Sequence, residues 1–269
     1  MDLDPRLWLT LLVRWTHIFA SILWVGTTYY FTWLDGRFTE LERESGDGAR
    51  EIWMVHSGGF YRVEKTKLFA VEHPLHWFRW EAAITWLSGL VLLALVYWWG
   101  GIMVDPSVRE LTEGRAIGIG VAVLVVGWAV YDLLMQSPLG RSWGASAVVG
   151  FLLIAALAYA LTHLLSGRAA YLHIGALFGT IMAANVWMRI LPAQRRMVAA
   201  VKAGQTPDAA LGARAKLRSK QNTFLAVPVV LLMMSNHFPT ATYGSSYPWQ
   251  VLCALVLVGW AMAAWIRRS

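Results

Sequence analysis

Seven histidines carry most of the chemistry that this 269-residue sequence can offer. An ionisable side chain inside an apolar segment is costly and commonly faces a partner, a cofactor or water. Along the apolar segments, His17, His163, His173 and His237 fall toward one face of a membrane, and His56, His73 and His76 toward the other. Neutral imidazoles from separate helices at similar depth can ligate one or two haem irons. His17, His173 and His237 are therefore the candidate iron ligands, while a headgroup-facing role accounts for His163 near a segment end. His17, Ser21, Trp24 and Thr28 share one helical face. Arg14, one turn outward, can pair with a haem propionate.

A second constellation lies between the first two apolar segments. His56-Ser-Gly-Gly-Phe-Tyr61 and His76-Trp-Phe-Arg-Trp-Glu81 bring imidazole, guanidinium, carboxylate and flat aromatic faces together in sequence. His56, His76 and Glu81 can move protons; Tyr61, Trp77 and Arg79 can hold a planar polar ligand. An interfacial belt of Trp, Tyr and Arg gives the same composition. Glu81 can equally pair with a nearby Arg, and Asp132 is similarly ambiguous.

The elements that must position these groups are membrane helices. The chain is 57% hydrophobic with 16 Trp and only 14% charged residues, well below the charged fraction of soluble domains. Seven stretches, 7–33, 80–102, 116–135, 143–165, 170–190, 224–237 and 247–266, are apolar over about the 20 residues that a crossing helix needs. The expected fold class is all-α: a polytopic transmembrane helix bundle forming a single domain, 1–269, with long loops at 34–77 and 191–222. The first of these starts as a surface helix, and a short strand or hairpin follows the Gly58-Gly59 turn signal; in the second, Pro192–Arg196 and Ala209–Lys216 read as helix extensions joined by a Gly-Gln-Thr-Pro turn.

All of the 23 basic residues except Arg6, Arg14, Arg109, Arg115 and Arg168 fall on one side if the N-terminus is outside. The positive-inside rule then makes both long loops and the C-terminus cytoplasmic, in a multi-pass protein of a bacterial inner membrane. Nothing at the N-terminus reads as a cleavable signal peptide. The net charge of +7 is spread between spans rather than gathered into a patch, which argues against nucleic acid. A single cysteine, Cys253, excludes an internal disulfide and a covalent c-type haem in this chain.

The stretches His17–Gly26, Phe31–Asp35, His56–Tyr61, Leu75–Glu81, Thr85–Gly89 and Ser235–Pro239, spread in order over nearly the whole chain, resemble the membrane domain of the bacterial cytochrome c-linked urate oxidases, or urate hydroxylases. The resemblance implies oxidation of urate to 5-hydroxyisourate, with haem b in the membrane and electrons leaving to a c-type cytochrome. No cytochrome c domain follows the last span here, so a separate cytochrome or other acceptor is expected. The resemblance also implies a His-Asn pair where this chain has Gln221-Asn222, and Gln221 cannot replace an imidazole on iron. Two other readings stay open: a haem-binding or quinone-linked membrane subunit without urate activity, and a histidine-lined permease.

Overall fold

The computed structural model describes residues 4–45, 51–66 and 73–267. Among these residues seven helices form the bundle: α1 (Pro5–Ser45), α2 (Trp80–Trp98), α3 (Glu113–Gln136), α4 (Trp143–Thr162), α5 (Gly167–Lys202), α6 (Ala209–Met234) and α7 (Pro248–Ile266). All but α6 are long and apolar enough to cross a membrane. The first half of α6 carries Arg214, Lys216, Arg218 and Lys220, yet it packs along α5 and α7. The all-α multi-pass architecture is therefore the observed one.

Several boundaries differ from the sequence reading. The expected surface helix after residue 33 is a continuation of α1, whose 41 residues extend roughly 60 Å and overrun a hydrocarbon core of about 30 Å. Good helix formers such as Glu40, Leu41 and Glu42 give it no reason to stop. The hairpin is present as β1 (Glu51–His56) and β2 (Gly59–Glu64), antiparallel with Met54 opposite Tyr61. Ser57 and Gly58 turn it with φ of 49° and 77°, the positive pair that suits the twist of a two-residue hairpin. Parts of the expected first loop, 46–50 and 67–72, lie outside the described residues.

Cap chemistry sets several starts. Thr112, Ser142, Ser166 and Asp208 each accept a hydrogen bond from a backbone N–H in the first turn of α3, α4, α5 and α6. Two helices contain π-helical turns, Leu93–Trp98 in α2 and Asn185–Ile190 in α5. Such turns recur at functional sites because they redirect side chains.

The core is centred on α5, where Tyr171, Ile174 and Phe178 are fully enclosed. By contrast α1 packs chiefly on α2 and turns Leu12, Trp15, Phe19 and Ile22 outward, as expected for a helix facing lipid. Pro228 interrupts the hydrogen-bond ladder of α6, and Gly259 of α7 nests against it: a methyl group at residue 259 would lie 2.8 Å from the Pro228 ring. Gly259→Leu should therefore cost about 1–3 kcal/mol and lower the unfolding temperature in detergent. Gly26→Leu, on the open face of α1, should leave that temperature unchanged.

Candidate functional site

The hairpin marks one end of the bundle, and the two histidine groups are found at and away from it. His17 on α1 points into the α1–α2 seam. Its Nδ1–H donates to the Thr85 carbonyl at 2.9 Å, and a methyl group at Gly89 would lie 2.9 Å from its ring. Its Nε2 has no hydrogen-bond partner among the described residues. His173 on α5 is fully buried and uses the same arrangement: Nδ1–H donates to the Ala169 carbonyl at 2.8 Å, leaving Nε2 without a partner. That nitrogen faces Gly120 of α3, where a methyl group would lie 2.6 Å away. The Tyr97 ring, in the π turn of α2, stands edge-on to it at 6.2 Å.

These two imidazoles share the features of an axial haem ligand: a carbonyl fixes the tautomer through Nδ1, and Nε2 keeps a free lone pair. Each also packs against a glycine, where a Cβ would collide with the ring. They do not sit at one level. Counting along α1 and α5 from the end opposite the hairpin places His17 about 18 Å and His173 about 9 Å in. His237, in the short 3-10 turn after α6, is exposed at that end, as is His163, which donates to its own helix at Tyr159. Among the described residues, no three His, Cys, Asp or Glu side chains gather closely enough to hold a bare metal ion. Arg14 projects from the outer face of α1 with no hydrogen-bond partner among the described residues. A cation that the sequence did not single out, Arg168, stands closer to His173: it donates to Asn236 at 2.8 Å and lies 5.6 Å over the Tyr97 ring.

At the hairpin end the second constellation is divided. Trp77 packs against Ala82, Val186 and Leu191, and His76 stands edge-on to Phe78, which in turn meets Phe31 of α1. Arg79 lies over the Trp80 ring, with its Nε buried and without an acceptor. The half-buried Glu81 carboxylate has no partner among the described residues. His56 and Tyr61, both exposed on the hairpin, make no contact with that group: His56 meets Ser57, and the hairpin reaches α1 through Tyr30 and Met54.

Sequence reasoning left Asp132 undecided, and it is the centre of the densest polar network. Its carboxylate accepts from Arg189 on α5, from Arg218 on α6 at 2.8 Å and from Gln136 at 2.7 Å. Asn185, at the start of the α5 π turn, donates to Tyr131 and Asn222, both at 2.9 Å. Tyr131 donates to Gln221 at 2.6 Å, and Asn222 to the Met182 carbonyl. Nothing in the linear spacing of 132, 189 and 218 announces this meeting.

One family model, described as urate oxidase N-terminal, matches residues 6–269. The chain belongs to the urate oxidase N-terminal family. No curated protein and no solved structure matches it significantly. Membership agrees with the expected resemblance and makes the chain a urate-oxidase-related membrane protein.

Because Asp132 is the sole anion between two guanidiniums, Asp132→Ala should destabilise the bundle by about 3–5 kcal/mol. Arg189→Ala should cost distinctly less, since its side chain is 38% exposed and water can replace it. Thermal unfolding in detergent compares the two.

Proposed function

We propose that this member of the urate oxidase N-terminal family is a membrane redox enzyme that converts urate to 5-hydroxyisourate and passes the electrons through haem b to a separate c-type cytochrome. The observation that carries the redox reading is His173, enclosed by α2, α3 and α5 with one nitrogen fixed and the other free. Haem, held by His173 and by His17, would supply a one-electron carrier inside the membrane. The separation of these two imidazoles suits them to holding separate haems. His237 and Arg14 lie at the surface, so they suit a haem edge or a docking partner better than an enclosed iron, and Arg168 is the better-placed partner for a propionate.

For substrate, the first turn of α2 offers what a planar purine anion requires. Arg79 has an unpartnered Nε to meet the negative charge, Trp77 presents a flat face, and His76 can take a proton as water adds to the ring. Glu81 would orient or receive that proton. The net chemistry is urate plus water giving 5-hydroxyisourate, two protons and two electrons. The density of basic residues at the hairpin end supports an orientation with that end cytoplasmic and the His237 end external, in a bacterial inner membrane.

Membranes containing the protein and an artificial electron acceptor should deplete urate, followed by its ultraviolet absorbance. Arg79→Gln should raise KM roughly 10-fold or more, the worth of a charged hydrogen bond. His173→Ala should abolish turnover while the protein still inserts. Unchanged urate consumption in both His17→Ala and His173→Ala would remove the electron path.

A further inference from the structure

Although consecutive, α3 and α4 scarcely touch. A cavity of about 780 Å³ fills the gap between them and is backed by α5, α6 and α7. Ligand cavities for small molecules commonly have this size. Val126 and Leu153 belong both to its walls and to the exposed surface, so it opens sideways, at the depth of the lipid chains. None of the seven histidines lines it.

Its walls are mostly aliphatic, but aromatic faces from Trp143, Phe178, Phe224 and Trp260 border it, and one end is polar, formed by Tyr131 and Gln221. One N–H donor there lacks a good acceptor: Gln221 Nε2 meets only the Met135 sulfur, at 2.8 Å, and a thioether is a weak acceptor. A donor left unmade inside the membrane costs free energy, which an oxygen acceptor entering the cavity would recover. A saturated acyl chain has no such oxygen; a flat ring with carbonyls on opposite edges and an apolar tail has two.

We propose that this cavity is a binding site for an isoprenoid quinone, with the ring among the aromatic faces, one carbonyl at Gln221 and Tyr131, and the tail leaving between α3 and α4. The binding stands on the cavity alone; only its use as an electron acceptor rests on the redox reading above. In that use the quinone takes the place of the cytochrome as acceptor: it gains the two electrons and two protons that urate oxidation releases, and both carbonyls become hydroxyls. Tyr131 would hand over a proton at the ring edge. It is joined through Asn185 to Arg218, Asp132 and the partly exposed Arg189, a polar path from the hairpin end of the bundle.

Gly150 lines the cavity, and a Cβ there meets nothing within 4 Å, so Gly150→Phe should fill the space without disturbing the helices. Protein purified in mild detergent should retain quinone on solvent extraction, and decylubiquinone should raise its unfolding temperature, as any ligand of the folded state does. Gly150→Phe should lose the retained quinone and weaken decylubiquinone binding by roughly tenfold or more; Gln221→Leu, which keeps the volume, should weaken it less. Extraction of phospholipid alone with no decylubiquinone shift, or undiminished binding in Gly150→Phe, would overturn the site. Because these readouts use no urate, decylubiquinone binding to a protein indifferent to urate would support the site while removing the urate reading. Urate-driven cytochrome reduction with no quinone binding would do the reverse.

Discussion

Asp132 holds the bundle to one arrangement because an unpaired carboxylate or guanidinium at that depth is too costly to leave. A single buried carboxylate draws Arg189 from α5 and Arg218 from α6 onto α3. Attraction between two such ions barely exceeds the cost of removing them from water, but removing one partner from this knot leaves a buried charge uncompensated. Asn185, Asn222, Tyr131 and Gln221 complete it, so the polar half of α6 is tolerated between two apolar neighbours.

With α3, α5 and α6 tied at one end, the opposite half of the bundle is free to be shaped by small residues. Gly120 admits the His173 ring between α3 and α5, and Gly89 admits His17 between α1 and α2. In both places the imidazole replaces what would otherwise be a side-chain contact, and its outer nitrogen is left without a bond. A purely structural histidine would gain by satisfying that nitrogen, since each buried polar group left alone lowers stability. Each of the two π turns lies beside one of these features: Tyr97 stands over His173, and Asn185 anchors the polar knot. The extra residue in each turn is what sets these side chains on the inward face.

The fold was largely legible because lipid imposes a simple rule, that spans are helical and apolar for a fixed length. Its exception was the continuity of α6: the helix extension expected over 209–216 and the apolar run of 224–237 belong to one helix beginning at Ala209; charges hide such continuity from a hydropathy reading when their partners come from other helices. The site was less legible. His17 and His173 could be chosen because their depth made them unusual, but the expectation of a common level with His237 failed, since a linear reading cannot see how far each helix extends beyond the membrane. Asp132, Arg189 and Arg218 were missed as a unit because 57 and 86 residues separate the partners. Likewise, the cavity between α3 and α4 is a property of two walls that the sequence presents only as ordinary apolar spans, with Gly127 and Gly150 as faint signals.

The central claim is that free imidazole nitrogens inside this bundle exist to hold haem iron. The most direct measurement is the pyridine haemochrome spectrum of the protein purified after haem-replete expression, set against protein concentration. The account predicts a b-type spectrum in stoichiometric amount, with no covalently retained haem after acid-acetone extraction. Well-folded protein with no haem would contradict it.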